Sequence, residues 1–201
     1  MKIELKNVKH AAFASQETCC FEASIYIDGV KRGTVRNDGH GGSHEFHPWQ
    51  VATEMNAYAK TLPARTGSIG DGRTHTYDMD AETLVDDQMT RWFIAKDIKK
   101  ATTGKIGFMR GDSMMTVGPY TPERLAQILS TPSLIEDFKL KHKPDHILNL
   151  MSPDDAIELV LRTQDVGDKE ADKAMQKLDG IGDNAVVDQD AAEEALGFAP
   201  K

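Results

Sequence analysis

The 201-residue sequence has few aromatic side chains, two cysteines and no long apolar run. Cys19 and Cys20 are adjacent, and neighbouring side chains on a strand point to opposite faces, so a disulfide between them would be strained. This excludes a disulfide framework and favours a reducing compartment. No segment approaches the roughly 18 to 20 apolar residues that cross a bilayer. The N-terminal MKIELKNVKHAAF also lacks the apolar core of a signal peptide, so we expect a cytoplasmic protein without membrane association.

Negative charge is concentrated at the C-terminus. The net charge is −8, and residues 164–201 contain ten acidic residues and four lysines, so this acidic tail alone carries −6. The remaining 163 residues are nearly neutral and show no cluster of lysine and arginine, which argues against a binder of duplex nucleic acid. We expect a globular body over 1–163 and a weakly ordered tail over 164–201, with room for a short helix at 189–196.

Strands are predicted in two parts of the body. KIELKNV (2–8) alternates apolar and polar residues, and 21–35 forms a hairpin pattern around Asp28-Gly29. A second pair of short strands is expected around Gly111-Asp112, and HILNL (146–150) is either a short strand or an extended connector. Residues 64–78 are predicted to be a long surface loop or an irregular hairpin that acts as a flap.

Helices are predicted between these strands. Pro48 is expected at the first helical position of a helix that ends at Pro63, and Asp80 is expected to cap a helix that runs to about Lys100. Further helices should begin at Thr121-Pro122, Thr131-Pro132 and Ser152-Pro153. Strands and helices alternate without a βαβ rhythm, so the predicted class is α+β: small antiparallel sheets and hairpins packed against several short to medium helices.

The segment NDGHGGSHEFHPW (37–49) concentrates the residue types that do chemistry. His40, His44 and His47 are candidate ligands for a divalent zinc, manganese or iron ion, since imidazole suits all three metals. Asp38 and Glu45 are candidates for a further ligand or a general base. His75, from the predicted flap, is a third catalytic candidate. Asp78, also from the flap, and His10 are additional candidates.

The spacing of these histidines leaves a second interpretation open. His44-Glu45-Phe46-His47 differs from the His-Glu-x-x-His motif of zinc proteases, because its second histidine comes one residue early. Asn37-Asp38-Gly39 is typical of an Asx turn, and Gly41-Gly42 accepts positive φ. The segment is therefore a metal site or a structural turn in a binding loop. Cys19, similarly, is a nucleophile beside a loop histidine or a small buried side chain.

The acidic tail also has two interpretations. It is either a solvated extension or an interaction segment, in which a few apolar side chains and their acidic neighbours bind a basic groove of another protein. The solvated extension is the commoner outcome for such a composition. In the ending EEALGFAPK, Leu196 and Phe198 are candidates to dock either onto the body or into a partner, and the candidate partner-binding residues are Glu193, Glu194, Leu196 and Phe198.

Several stretches together resemble a group of uncharacterised small proteins carried by phages, prophages and plasmids. These are YIDGVKRGTVRNDGHGG with HP shortly after, then IGFMRGD, PYTPE and HILN. The resemblance covers roughly residues 2–150 and leaves the acidic tail uncovered. It implies an accessory protein of a mobile element that acts on host or defence machinery, and it transfers no functional residue.

Two hypotheses of different class follow. The first is a non-enzymatic accessory protein that binds a host or phage protein through the acidic tail and the histidine-rich loop. The second is a metal-dependent hydrolase, such as a phosphoesterase, in which His40, His44 and His47 hold the metal. The sequence favours the first, because the histidine spacing matches no known metal signature.

Overall fold

The structure, a computed structural model, describes residues 1–68 and 74–163. It has an α+β fold, as the sequence predicts. Its first half is a four-stranded antiparallel sheet in the order β1-β2-β3-β4, formed by β1 (Ile3–His10), β2 (Phe21–Ile27), β3 (Val30–Asn37) and β4 (Glu45–His47). The predicted β2–β3 hairpin is confirmed: Asp28 and Gly29 form its two-residue turn with φ of 49° and 80°.

Two helices cover one face of this sheet. They are α1 (Gln50–Ala59) and α2 (Ala81–Thr102), and the first core lies between them and the strands. The alternation along β2 sends Ile25 and Ile27 into this core, where both are almost fully buried. Val51 and Met55 on α1 and Val85 on α2 meet them there.

The prediction for the start of α1 was wrong. Pro48 does not open the helix, since His47 is still paired with Thr34 in the sheet and α1 begins only at Gln50. The chain has room to turn here because Gly33, on the neighbouring strand, has no side chain, and a Cβ there would run into the carbonyl oxygen of His47. The cap of α2 is confirmed: the Asp80 carboxylate accepts a hydrogen bond from the Thr83 amide at 2.7 Å.

Between α1 and α2 lies a separate hairpin of β5 (Arg65–Ser68) and β6 (Thr74–Tyr77). This matches the irregular hairpin predicted for 64–78. Residues 69–73, which include part of the predicted flap, lie outside the described residues.

The second half contains a three-stranded antiparallel sheet in the order β8-β7-β9, made of β7 (Ile106–Arg110), β8 (Ser113–Val117) and β9 (His146–Ile147). It is buried on both faces. Ile106 and Phe108 face a cluster with α3 (Pro122–Ser130) and α4 (Pro132–His142). Met109 faces the opposite way, toward the C-terminal half of α2 and a last helix, α5, over 153–163.

The long helix α2 joins the two halves. Its N-terminal half contributes Leu84, Val85 and Met89 to the first core, whereas Ile94 and Ile98 belong to the cluster under α5. No helix in the described part of the chain is long and apolar enough to cross a membrane.

Candidate functional site

The histidine-rich loop packs against the loop that precedes β2. We call these two segments, residues 11–20 and 38–44, the double loop. The carbonyl of Gly39 accepts hydrogen bonds from the amides of Gln16 and Glu17, both at 3.0 Å, and of Thr18 at 3.3 Å. Gly39 has a φ of +89°, and a Cβ there would run into the carbonyl oxygen of Ala14. Only glycine therefore allows the two loops to approach this closely.

Asn37, at the end of β3, joins the two loops a second time. Its side chain is buried, and its Oδ1 accepts from the Thr18 hydroxyl at 2.7 Å and from the Gly39 amide at 2.8 Å. Its Nδ2 donates to the Gly42 carbonyl at 2.8 Å and lies 3.1 Å from Nδ1 of His44. Since Oδ1 receives a backbone N–H, the orientation of the amide is settled, and Nδ1 of His44 must be an acceptor.

His44 is a buried link between the double loop and α2. Its side chain is 8% exposed, and its Nε2 lies 3.0 Å from the Asp86 carboxylate on α2. Its ring packs edge to face on Phe21, with 5.3 Å between the ring centroids. With Nδ1 accepting from Asn37 and Nε2–H donating to Asp86, both ring nitrogens of His44 are engaged, so neither is available to a metal ion.

The structure does not assemble the predicted metal site. His40 is exposed, with its Nδ1 3.5 Å from the Asp38 carboxylate, and His47 is an exposed residue of β4. Within 1–68 and 74–163, no three histidine, cysteine, aspartate or glutamate side chains are placed to hold a metal ion. His44 therefore fits the interpretation of the segment as a structural turn. It is the buried one of the three histidines, and it fastens the loop.

The three catalytic candidates are each engaged separately. The Asp38 carboxylate accepts the amide of His40 at 3.1 Å, and this hydrogen bond lowers the pKa of Asp38. Glu45 accepts from the guanidinium of Arg36, at 2.7 and 3.0 Å, and this contact raises the pKa of Arg36. His75 lies on β6, beside the ring of Tyr77. No hydrogen bond joins one candidate to another in the described residues.

Two other residues singled out by their chemistry also have structural surroundings. Cys19 is half-buried against the first core, and burial raises the pKa of its thiol. A thiol that stays protonated is a poor nucleophile. His10 packs edge to face on Trp92 and Phe93 of α2, with ring centroids 6.1 and 4.9 Å away.

The feature of this site that the sequence reasoning missed is Phe13. It lies in a short 3₁₀ turn, Ala12–Ala14, and its side chain is 93% exposed. The turn is held by its own hydrogen bonds: the Ser15 hydroxyl donates to the Ala11 carbonyl at 3.0 Å and accepts the Cys20 amide at 2.9 Å. The surrounding HAAFASQ carries no periodic pattern, so the sequence offers no signal that this phenylalanine faces solvent.

The double loop also carries exposed polar side chains. The side chains of Asp38 and His40 are 70% and 59% exposed, and the carboxylate of Glu17 lies against Gly41. The double loop therefore combines an exposed aromatic side chain on a hydrogen-bonded turn with exposed acidic side chains. Aromatic side chains with polar neighbours are common at contact surfaces.

The remaining predicted contact residues, Glu193, Glu194, Leu196 and Phe198, lie outside the described residues, as does the whole acidic tail. Comparison with protein-family models, with curated proteins and with solved structures finds no match to this chain.

Proposed function

We propose that this chain is a non-enzymatic accessory protein of a phage or other mobile element, and that it binds a host or phage protein through the double loop. The observation that carries the proposal is Phe13, whose ring is 93% exposed on a turn with a fixed backbone. The mobile-element context comes from the sequence resemblance and is part of the same proposal.

An exposed phenylalanine is informative because its burial is favourable by about 1.5–3 kcal/mol. A partner that covers the Phe13 ring recovers this free energy. Aromatic side chains dominate the binding energy of many interfaces and sit at their centres, surrounded by polar groups that exclude water. Phe13 lies in a double loop that also exposes Asp38 and His40, so the aromatic and the polar parts of such an interface are both present there.

The fixed backbone of the double loop strengthens the argument. Ordering a loop on binding costs free energy, and a loop that is already ordered avoids that cost. Gly39 and Asn37 supply four hydrogen bonds between the two loops in the free protein, three to the Gly39 carbonyl and one from the Thr18 hydroxyl to Oδ1 of Asn37. Two more, between Asn37 and the Gly39 amide and Gly42 carbonyl, fix the second loop itself. The double loop is therefore suited to a partner that has an apolar pocket surrounded by basic side chains.

The test is quantitative capture of partners from host cells with the full chain and with Phe13→Ala. Phe13→Ala should reduce recovery of the specific partner by roughly 30-fold or more, as truncation of a central aromatic residue does at about 2 kcal/mol or above. Its stability should change by less than about 0.5 kcal/mol, because the ring buries nothing in the free protein.

The matched control is Leu140→Ala. Leu140 is another exposed apolar residue, at 76%, but it lies on α4 in the second half of the molecule. It should leave partner recovery unchanged. If Phe13→Ala and the unmodified chain recover the same partners equally, the double loop is not the binding surface.

A further inference from the structure

A groove lies between α2, the turn that follows β9, and α5. We call it the α2–α5 groove. Ile98, Lys99 and Thr102 line it from α2, Leu148 and Asn149 from the turn, and Ile157 from α5. Its volume is about 450 Å³, within the roughly 300–1,000 Å³ of typical binding clefts.

The polar side chains of this groove are mostly used within the fold. Asn149 accepts the Gly107 amide at 2.8 Å and donates to the Lys105 carbonyl at 3.0 Å. The hydroxyl of Thr102 donates to the Ile98 carbonyl at 2.8 Å. The groups of the groove that remain for an occupant to contact are therefore its apolar wall and the ammonium of Lys99.

Lys99 is exposed and forms no ion pair with any carboxylate in residues 1–68 and 74–163. The acidic residues of α5 are Asp154, Asp155 and Glu158; Asp155 accepts the Ser152 hydroxyl at 2.7 Å, and Glu158 pairs with Arg91 of α2. An occupant suited to this groove thus has apolar side chains for the wall and carboxylates directed toward α2, away from the start of α5.

The sequence of the chain itself contains such a segment. Residues 193–198 read EEALGF, two glutamates followed by Leu196 and Phe198. We propose that this segment of the same chain occupies the α2–α5 groove, with Leu196 and Phe198 against the apolar wall and Glu193 or Glu194 facing Lys99.

The connection makes this docking sterically simple. The acidic tail begins directly after α5, the helix that forms one side of the groove. Helix α5 extends about 15 Å from residue 153 to 163 at 1.5 Å per residue. Thirty-two residues lie between Thr163 and Leu196, whereas about five extended residues already span 15 Å. A tether of this kind also holds the segment at a high effective concentration near the groove.

This inference concerns a different surface from Phe13 and does not depend on the proposed function. If both hold, the residues that the sequence predicts for partner binding are covered in the free protein, and the double loop stays open.

The test is methyl NMR on the full chain. In the unmodified protein, nuclear Overhauser contacts should join the Phe198 ring to the methyl groups of Ile98 and Ile157. Leu196→Ala/Phe198→Ala should abolish these contacts and shift the methyl resonances of the groove, while the Ile25 methyl in the first core stays unchanged. Val186→Ala/Val187→Ala, also in the acidic tail, is the matched control and should leave the groove as it was.

A variant on the body side separates docking from an indirect effect. Lys99→Glu reverses the one charge that faces the occupant, and it should weaken the contacts while the fold is retained. The contacts should persist on tenfold dilution. Absent contacts, contacts that the control variant also abolishes, or contacts between labelled and unlabelled chains in a mixed sample would each overturn the proposal, the last because a second copy would be the occupant.

Discussion

Two asparagines, one in each half of the molecule, fasten irregular backbone to a sheet in similar ways. Asn37 binds the amide of Gly39 and the carbonyl of Gly42 in the double loop. Asn149 binds the amide of Gly107 on β7 and the carbonyl of Lys105. The two halves differ in the surface beside these asparagines. The first half has an exposed aromatic side chain and exposed polar side chains, and the second half has an open apolar groove.

The difference follows from how each sheet is covered. In the first half, α1 and the N-terminal part of α2 cover one face of a four-stranded sheet, and one continuous core results. In the second half, a small sheet is buried on both faces, and its apolar residues divide into two clusters. The face with Met109 is covered by two helices that leave a groove between them.

The largest expected effect tests whether the two halves are one cooperative unit. Ile25→Ala in the first core and Ile106→Ala in the second half remove equivalent, almost fully buried side chains. Each should lower the free energy of unfolding by about 2–5 kcal/mol, from lost burial and the cavity left behind. Because α2 belongs to both halves, each variant should reduce the hydrogen-exchange protection of both β2 and β7.

The control for this pair is Val30→Ala, which truncates a side chain that is 57% exposed and should change stability by less than about 0.5 kcal/mol. Loss of protection in β7 alone after Ile106→Ala would show that the halves unfold independently.

The next effect compares the two asparagines directly. Asn37→Ala and Asn149→Ala each leave a backbone amide without its acceptor, and each should lower the free energy of unfolding by about 1–3 kcal/mol in urea titrations. Only Asn37→Ala should also weaken partner binding through Phe13, since it loosens the double loop. Equal loss of binding in both variants would contradict the assignment of the contact surface to the first half.

The smallest effect concerns the Asp38 carboxyl group of the double loop. The hydrogen bond from the His40 amide lowers the pKa of Asp38 below its ordinary value of 3.8. The ionised carboxylate therefore favours the folded loop. This contribution is complete above the pKa of the unfolded chain and is lost as the pH falls through the lower folded value.

NMR titration of the Asp38 carboxyl carbon measures this shift. The midpoint should lie below that of Asp38 in a peptide of residues 34–44, and an equal or higher midpoint in the folded protein would show that the His40 amide does not hold the carboxylate.

The elements of the fold were predictable where local chemistry alone determines them. Asp28-Gly29 forms the expected turn because both residues tolerate positive φ, and Asp80 caps α2 because its carboxylate reaches the Thr83 amide. The start of α1 was not predictable in this way. Pro48 has the local preferences of a first helical residue, but pairing of His47 with Thr34 keeps the chain in the sheet for longer.

The candidate site was predictable only in part. The density of histidines between 40 and 47 is visible in the sequence, but which of them is buried depends on Phe21 and Asp86, from distant positions in the chain. Asn37 was recognised as a turn residue, whereas its contact with Thr18 requires the two loops to meet. The exposure of Phe13 has no local signal, because burial is a property of the packed chain.

Periodicity, turn residues and helix caps suffice to set the α+β class and most of its elements, since each depends on residues within a few positions of one another. The packed structure alone decides that His44 fastens a loop, that Phe13 faces water, and that a groove stays open beside Lys99. These outcomes depend on which surfaces are left after the core has formed, and that is settled by contacts between segments far apart in the chain.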